Sequence, residues 1–188
     1  MRIVFAVVFL ATLLPGALAQ NQSATAPAGQ SQGLGQAGIE RITKEVRHEL
    51  LLLPYYGVFD NLQYRVAADG TVTLIGQVAR PTLKSDAENA VKHIEGVERV
   101  DNQIEILPTS PMDDQIRIAT YRAIYGNTSL NTYALRAVPP IHIIVKNGHV
   151  TLEGVVARQM DKQIAEQQAK SVPNVFSVTD NLQVEEKG

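Results

Sequence analysis

The stretch Gly70-Thr-Val-Thr-Leu-Ile-Gly-Gln-Val-Ala-Arg80 recurs 78 residues later as Gly148-His-Val-Thr-Leu-Glu-Gly-Val-Val-Ala-Arg158. Eight of the 11 positions are identical, and the same offset aligns apolar positions as far as Val184. A repeat of this length and fidelity predicts two copies of one folding unit. We place copy one at residues 39–107 and copy two at residues 111–186.

Within each copy the hydrophobic period changes along the chain. Between Ile39 and Leu53, apolar residues recur every three or four positions, as on one face of a helix. Two alternating stretches then flank the Asp69-Gly70 turn, and Asn147-Gly148 in copy two is a strong hairpin signal. A second helical stripe and an alternating strand that ends at Ile106 follow. The order αββαβ predicts an α+β fold, with each copy a three-stranded mixed sheet carrying two helices on one face.

This order and its motifs resemble the BON (bacterial OsmY and nodulation) domain family. The resemblance rests on Asp69-Gly70-x-Val-Thr-Leu-x-Gly76, on Asn147-Gly148-x-Val-Thr-Leu-x-Gly154, and on a closing motif that begins at Gly96. Copy two departs from the closing motif at Asn174 and Asp180. The resemblance implies a tandem, non-enzymatic envelope protein that binds phospholipid and protects envelope integrity under osmotic stress. It also implies an alternative, because some members of the family act as periplasmic chaperones.

Residues 1–19 have the features of a secretory signal peptide. Arg2 precedes an apolar run, and Ala17-Leu18-Ala19 supplies the small residues that a signal peptidase requires. The run of about 12 residues is shorter than the roughly 18 that a membrane span needs. Residues 20–38 carry no charge and are rich in Gln, Ser, Ala and Gly, which predicts a disordered linker. We therefore expect a soluble periplasmic or secreted protein with no transmembrane span after cleavage.

The composition argues against several classes of protein. The chain has no cysteine, which excludes disulfides and thiolate metal sites, and its 17 basic and 19 acidic residues are too balanced for a general nucleic-acid binder. The repeated glycines fit turns and strand ends better than phosphate loops. We find no catalytic residues and no cofactor or metal site, because the histidines share no helical ligand spacing. The histidines are His48, His93, His142 and His149.

The first helix of copy two carries the candidate binding residues. Ser110-Pro111 predicts its N-terminus, and the face around Ile116 and Thr120 is expected to contact the sheet. A second apolar stripe flanked by arginines lies on the opposite side. Its members are Arg117, Ile118, Tyr121, Arg122 and Tyr125. Tyrosines bordered by arginines suit a lipid–water interface, so the stripe is predicted to contact a membrane or a partner. Packing of the stripe against copy one or the linker is the alternative.

Two classes of function stay open at this point. In the first, the protein binds anionic phospholipid surfaces, mainly through copy two, because residues 110–188 have a net charge of 0 and residues 37–107 a net charge of −3. In the second, the paired domains bind exposed apolar segments of envelope proteins. The predicted partners are therefore an anionic phospholipid surface or envelope proteins, and no nucleic acid.

Overall fold

The structure is a computed structural model that describes residues 34–185. The predicted signal peptide and most of the predicted linker lie outside the described residues. Helix α1 begins at Gln36, so the linker prediction is wrong for residues 36–38. These residues are helical because the first turn is closed by a hydrogen bond from the Ile39 N–H to the Gly35 carbonyl (3.1 Å).

Copy one has the predicted order of helices and strands. Its elements are α1 (Gln36–Leu51), β1 (Asn61–Val66), β2 (Thr71–Val78), α2 (Pro81–Val91), β3 (Arg99–Asn102) and β4 (Glu105–Ile106). Strand β2 is central, since β1 pairs with it antiparallel on one side and β3 and β4 pair with it parallel on the other. The sheet is therefore mixed, as expected.

The last strand of each copy is interrupted, although the alternation predicted one continuous strand. In copy one, the Asn102 side chain accepts a hydrogen bond from the Ile104 N–H (3.2 Å) and donates one to the Lys84 carbonyl on α2 (2.9 Å). In copy two, Asp180 accepts from the Leu182 N–H (2.9 Å) in the same way. This local turn breaks the strand into two short segments, and Asp180 keeps the turn despite its departure from the family motif.

Copy two repeats the arrangement. Its elements are α3 (Pro111–Tyr125), a short 3₁₀ helix (Asn131–Leu135), β5 (Ile141–Lys146), β6 (His149–Val156), α4 (Gln159–Lys170), β7 (Ser177–Asp180) and β8 (Gln183–Val184). The predicted start of α3 is confirmed, because Ser110 Oγ accepts a hydrogen bond from the Asp113 N–H (3.2 Å). The hairpin turn is also confirmed, since Asn147 and Gly148 have φ angles of 52° and 79°.

Each copy has its own hydrophobic core between its sheet and its helices. Helix α1 contacts α2, and α3 contacts α4, so each sheet carries its two helices on one face. The core of copy one includes Ile42, Val46, Val72, Leu74 and Ile104. The core of copy two includes Ile116, Ile124, Ile143, Val150 and Leu152. Val58 and Phe59 of copy one also pack against the second core, so the two copies contact each other.

Candidate functional site

The structure separates the five residues of the predicted stripe on α3. Ile118 is 47% exposed and Arg122 is exposed, whereas Tyr121 is half-buried. Arg117 and Tyr125 are each only 5% exposed. The expectation of a single exposed stripe is therefore wrong for Arg117 and Tyr125, and the exposed part of α3 is smaller than predicted.

Arg117 and Tyr125 are buried because they cover the outer edge of the sheet in copy two. Among the strands of residues 34–185, β5 pairs only with β6, so alternate backbone groups of β5 point away from the sheet and need other partners. The Tyr125 hydroxyl donates to the Ile141 carbonyl (2.6 Å) and accepts from the Ile141 N–H (3.2 Å). The Arg117 guanidinium donates to the Val145 carbonyl (2.8 Å). These side chains therefore complete an edge strand and are not free to contact a ligand.

Residues 56–60 of copy one, here called the docking loop, cover the rest of this edge. The Val58 carbonyl accepts a hydrogen bond from the Ile143 N–H of β5 (2.7 Å). The Phe59 ring meets the Tyr121 ring edge-on, with 6.2 Å between centroids. Tyr121 therefore packs against copy one, which was the alternative to a membrane or partner contact for the stripe.

A buried carboxylate holds the docking loop in shape. Asp60 is buried, and it accepts hydrogen bonds from the N–H groups of Ala79 (2.8 Å) and Gly57 (3.2 Å). Burial raises the pKa of Asp60, and these hydrogen bonds together with the charges of Arg80 and Arg117 oppose that shift. Since Arg117 belongs to copy two, this attraction acts between the copies.

Residues 52–55, here called the apolar turn, lie between α1 and the docking loop. Leu52 is 63% exposed and Tyr55 is 73% exposed. The Arg80 guanidinium lies over the Tyr55 ring, 4.9 Å from its centroid, in a cation–π contact. This surface was not predicted from the sequence, because the apolar residues up to Leu53 were interpreted only as one face of a helix. The signal was the run of apolar residues that continues past the helix end.

A groove of about 780 Å³ lies between the two copies. One wall includes Leu62 and Tyr64 of β1, and the other includes Val155 of β6. His142 of β5 also lines the groove and stacks on Tyr56, with 5.6 Å between ring centroids. Burial lowers the pKa of His142.

Residues 34–185 contain neither a cluster of metal-ligand side chains nor a helix that could span a membrane. Among these residues, no three or more His, Cys, Asp or Glu side chains are grouped so that they could hold a metal ion. Within the same range, no helix combines the length and the apolar character that crossing a membrane requires.

Comparison with known proteins identifies the family. The model of the BON domain family matches residues 39–108 and 127–186, which is more than half of the chain. No curated protein matches the chain. A solved structure of CdsD, a structural protein of the type III secretion system of Chlamydia trachomatis, is 13% identical and covers 78% of this chain and 94% of that chain, with a TM-score of 0.30. The C-terminal domain of CdsD from Chlamydia trachomatis is 14% identical and covers 76% of this chain and 96% of that chain, with a TM-score of 0.29. The two matched segments show that this chain belongs to the BON domain family and contains two BON domains in tandem.

Proposed function

We propose that this protein is a non-enzymatic, exported envelope protein that binds anionic phospholipid surfaces and protects the envelope under osmotic stress. Membership of the BON family supports a non-catalytic role at the envelope. The single observation that carries the proposal is the apolar turn, where Leu52 and Tyr55 are exposed and the Arg80 guanidinium lies over the Tyr55 ring. In a lipid–water interface the apolar groups are buried, the phenol tip stays hydrated, and the guanidinium binds phosphate.

The size of this surface predicts weak and reversible binding. Burial of one leucine and one tyrosine contributes about 3–6 kcal/mol at most, before the cost of association is subtracted. A second contact is therefore needed, and the exposed part of α3 supplies it. Ile118 and Arg122 lie on either side of Tyr121 on α3. The Tyr121 ring contacts Phe59, and Phe59 follows Tyr55 of the apolar turn by four residues. The proposed surface thus combines the apolar turn of copy one with α3 of copy two.

Co-sedimentation with vesicles of phosphatidylglycerol and of phosphatidylcholine tests this proposal. We expect binding to the anionic vesicles, and a roughly thirtyfold loss for Leu52→Ser with Tyr55→Ser, because each of the two exposed apolar side chains contributes on the order of 1 kcal/mol. Ile118→Ser with Arg122→Ser should cause a smaller loss. Neither variant should change the melting temperature by more than a few degrees, since all four residues are exposed.

The matched control is Met160→Ser with Phe176→Ser in copy two, where the two side chains are 62% and 77% exposed. This control should bind anionic vesicles as tightly as the unmodified protein. Unchanged binding by the apolar-turn variant would contradict the proposal. An equal loss in the control would also contradict it, because the binding would then reflect exposed apolar area in general.

A further inference from the structure

The docking loop of copy one covers an ionisable side chain of copy two. His142 on β5 stacks on Tyr56 of the loop, with 5.6 Å between the ring centroids and 22° between the ring planes. The next residue, Ile143, donates its N–H to the Val58 carbonyl of the same loop (2.7 Å). The imidazole therefore belongs to the contact that holds the two copies together.

The His142 side chain points toward copy one because side chains alternate along β5. Its neighbours Ile141 and Ile143 lie in the core of copy two, so His142 lies on the opposite face of the sheet, away from the helices. On that same face, Lys146 of β5 bonds to Glu105 of copy one (2.5 Å). Separation of the copies would therefore expose the imidazole to water.

The docked position of His142 suits a neutral ring. The imidazole Nδ1 is buried and has no hydrogen-bond partner among residues 34–185. A neutral imidazole leaves one ring nitrogen without a proton, whereas an imidazolium carries an N–H donor on both nitrogens. A buried charged donor without an acceptor is costly. Burial lowers the pKa of His142, although hydrogen bonds to the backbone of Asp60 and Gly57 in the docking loop oppose the shift.

The direction of the pH effect follows from the pKa of His142 in the two states. With the copies apart, we expect the ordinary value of about 6.5. In the docked form the pKa is lower. The docked form is therefore favoured above about pH 6.5, and this advantage is lost as the pH falls below that value toward the lowered pKa. Within this window each pH unit shifts the equilibrium toward separation by up to about tenfold.

The charged groups of copy two that surround His142 act on it in both states. Glu153 of β6 lies opposite His142 in the register, and its carboxylate accepts a hydrogen bond from Asn181 (2.7 Å). Arg136 and Glu185 line the groove beside it. All of these residues stay with His142 when the copies separate. Their charges therefore contribute little to the difference in pKa between the two states.

The ionisable groups of copy one act on His142 only when the copies are docked. Burial raises the pKa of Tyr56 to about 12, so its hydroxyl stays neutral below pH 8, and burial also raises the pKa of Tyr64 in the groove. Arg47 lines the groove, and a cation there disfavours an imidazolium. The Asp60 carboxylate favours an imidazolium, but its two oxygens already accept backbone N–H groups of copy one. The burial of the ring therefore decides the direction.

We propose that the contact between the two copies is sensitive to pH and that His142 is the group that responds. Acidification from about pH 7.5 to about pH 5.5 protonates His142 in the separated form and shifts the equilibrium toward separation. Separation frees the Ile143 N–H and the Val58 carbonyl, and it exposes the ring of Phe59. The protein thus has a conformational response to acid that the proposed lipid binding does not require.

Amide hydrogen exchange followed by NMR tests the proposal, because one backbone N–H reports the contact directly. The Ile143 N–H loses its acceptor when the docking loop leaves. After correction for the intrinsic pH dependence of exchange, its protection should fall several-fold, up to about tenfold, between about pH 7.5 and about pH 5.5. The N–H of Ile144 points toward β6 and should keep its protection. Separation is thereby distinguished from unfolding of copy two, which would expose both groups.

Variants that cannot ionise test the role of His142. His142→Phe keeps a ring against Tyr56, so the Ile143 N–H should stay protected at both pH values. His142→Gln is a second variant that cannot ionise and that keeps a polar side chain. The matched control is His149→Phe, which removes an exposed histidine from the same face of the same sheet. This control should show the same loss of protection as the unmodified protein.

Four results would overturn the proposal. Two concern the unmodified protein, namely constant protection of Ile143 and equal losses at Ile143 and Ile144. The third is a pH-dependent loss that persists in both His142 variants, which would assign the response to another group. The fourth is loss of Ile143 protection at both pH values in both variants, which would show that docking needs the imidazole whatever its charge. The exchange experiment uses no vesicles, so its outcome is independent of the lipid-binding proposal.

Discussion

Gly154→Ala is expected to unfold copy two. Gly154 lies within β6 with a φ of +119°, a backbone conformation that residues with a side chain rarely adopt. A Cβ at this position would lie 1.9 Å from the Pro140 carbonyl oxygen. Both the strain and the clash involve backbone atoms, so no rotamer change can relieve them. We expect a loss of more than about 4 kcal/mol in the free energy of unfolding, measured by urea denaturation followed by circular dichroism.

Two other glycines calibrate this experiment. Gly76→Ala should have the same effect in copy one, because its Cβ would lie 2.0 Å from the Asn61 carbonyl oxygen. Gly35→Ala should change stability by less than about 0.5 kcal/mol, since nothing lies within 4 Å of the added carbon and the φ of −65° suits alanine. A Gly154→Ala protein that melts within a few degrees of the unmodified protein would show that the strand can relax around the new side chain.

Much of the fold could be predicted because the signals are local. The Asn147-Gly148 turn follows from two residues that tolerate positive φ, and the start of α3 follows from the Ser110 side chain. The periods of the apolar residues identify the helices and strands for the same reason. The break in the last strand was not predicted, because alternation reports which face a residue occupies but not whether Asn102 turns the backbone.

The candidate site was predicted less well because it depends on neighbours distant in sequence. A helical wheel gives the angle of Arg117 and Tyr125 around α3, but it does not reveal that an unpaired strand edge lies beside that face. It also gives no sign that the docking loop, more than 60 residues before Tyr121, covers the same region. Burial of the stripe therefore follows from the register of β5 and the path of copy one, which only the folded chain brings together.

Tyr121→Ser with Tyr125→Ser is expected to destabilise copy two strongly, although the sequence alone favoured a surface role for both residues. The Tyr125 ring is buried and lies 4.9 Å from the Tyr121 ring, so the change removes two packed aromatic side chains. The loss of one buried aromatic side chain costs about 3–5 kcal/mol. It also removes the hydroxyl that bonds to both backbone groups of Ile141. Thermal and urea denaturation should show a loss at least as large as that single-ring value.

Single phenylalanine variants separate the two tyrosines. Tyr125→Phe keeps the ring but leaves the Ile141 N–H and carbonyl without their partner, which should cost about 1–3 kcal/mol. Tyr121→Phe should be nearly neutral, because its half-buried ring keeps its contacts with Phe59. Since Tyr125 is covered by the sheet edge, Tyr125→Phe should also bind anionic vesicles like the unmodified protein. Weaker vesicle binding at unchanged stability would mean that the Tyr125 hydroxyl contacts lipid, and α3 would then have to leave the edge of β5 when the protein reaches a membrane.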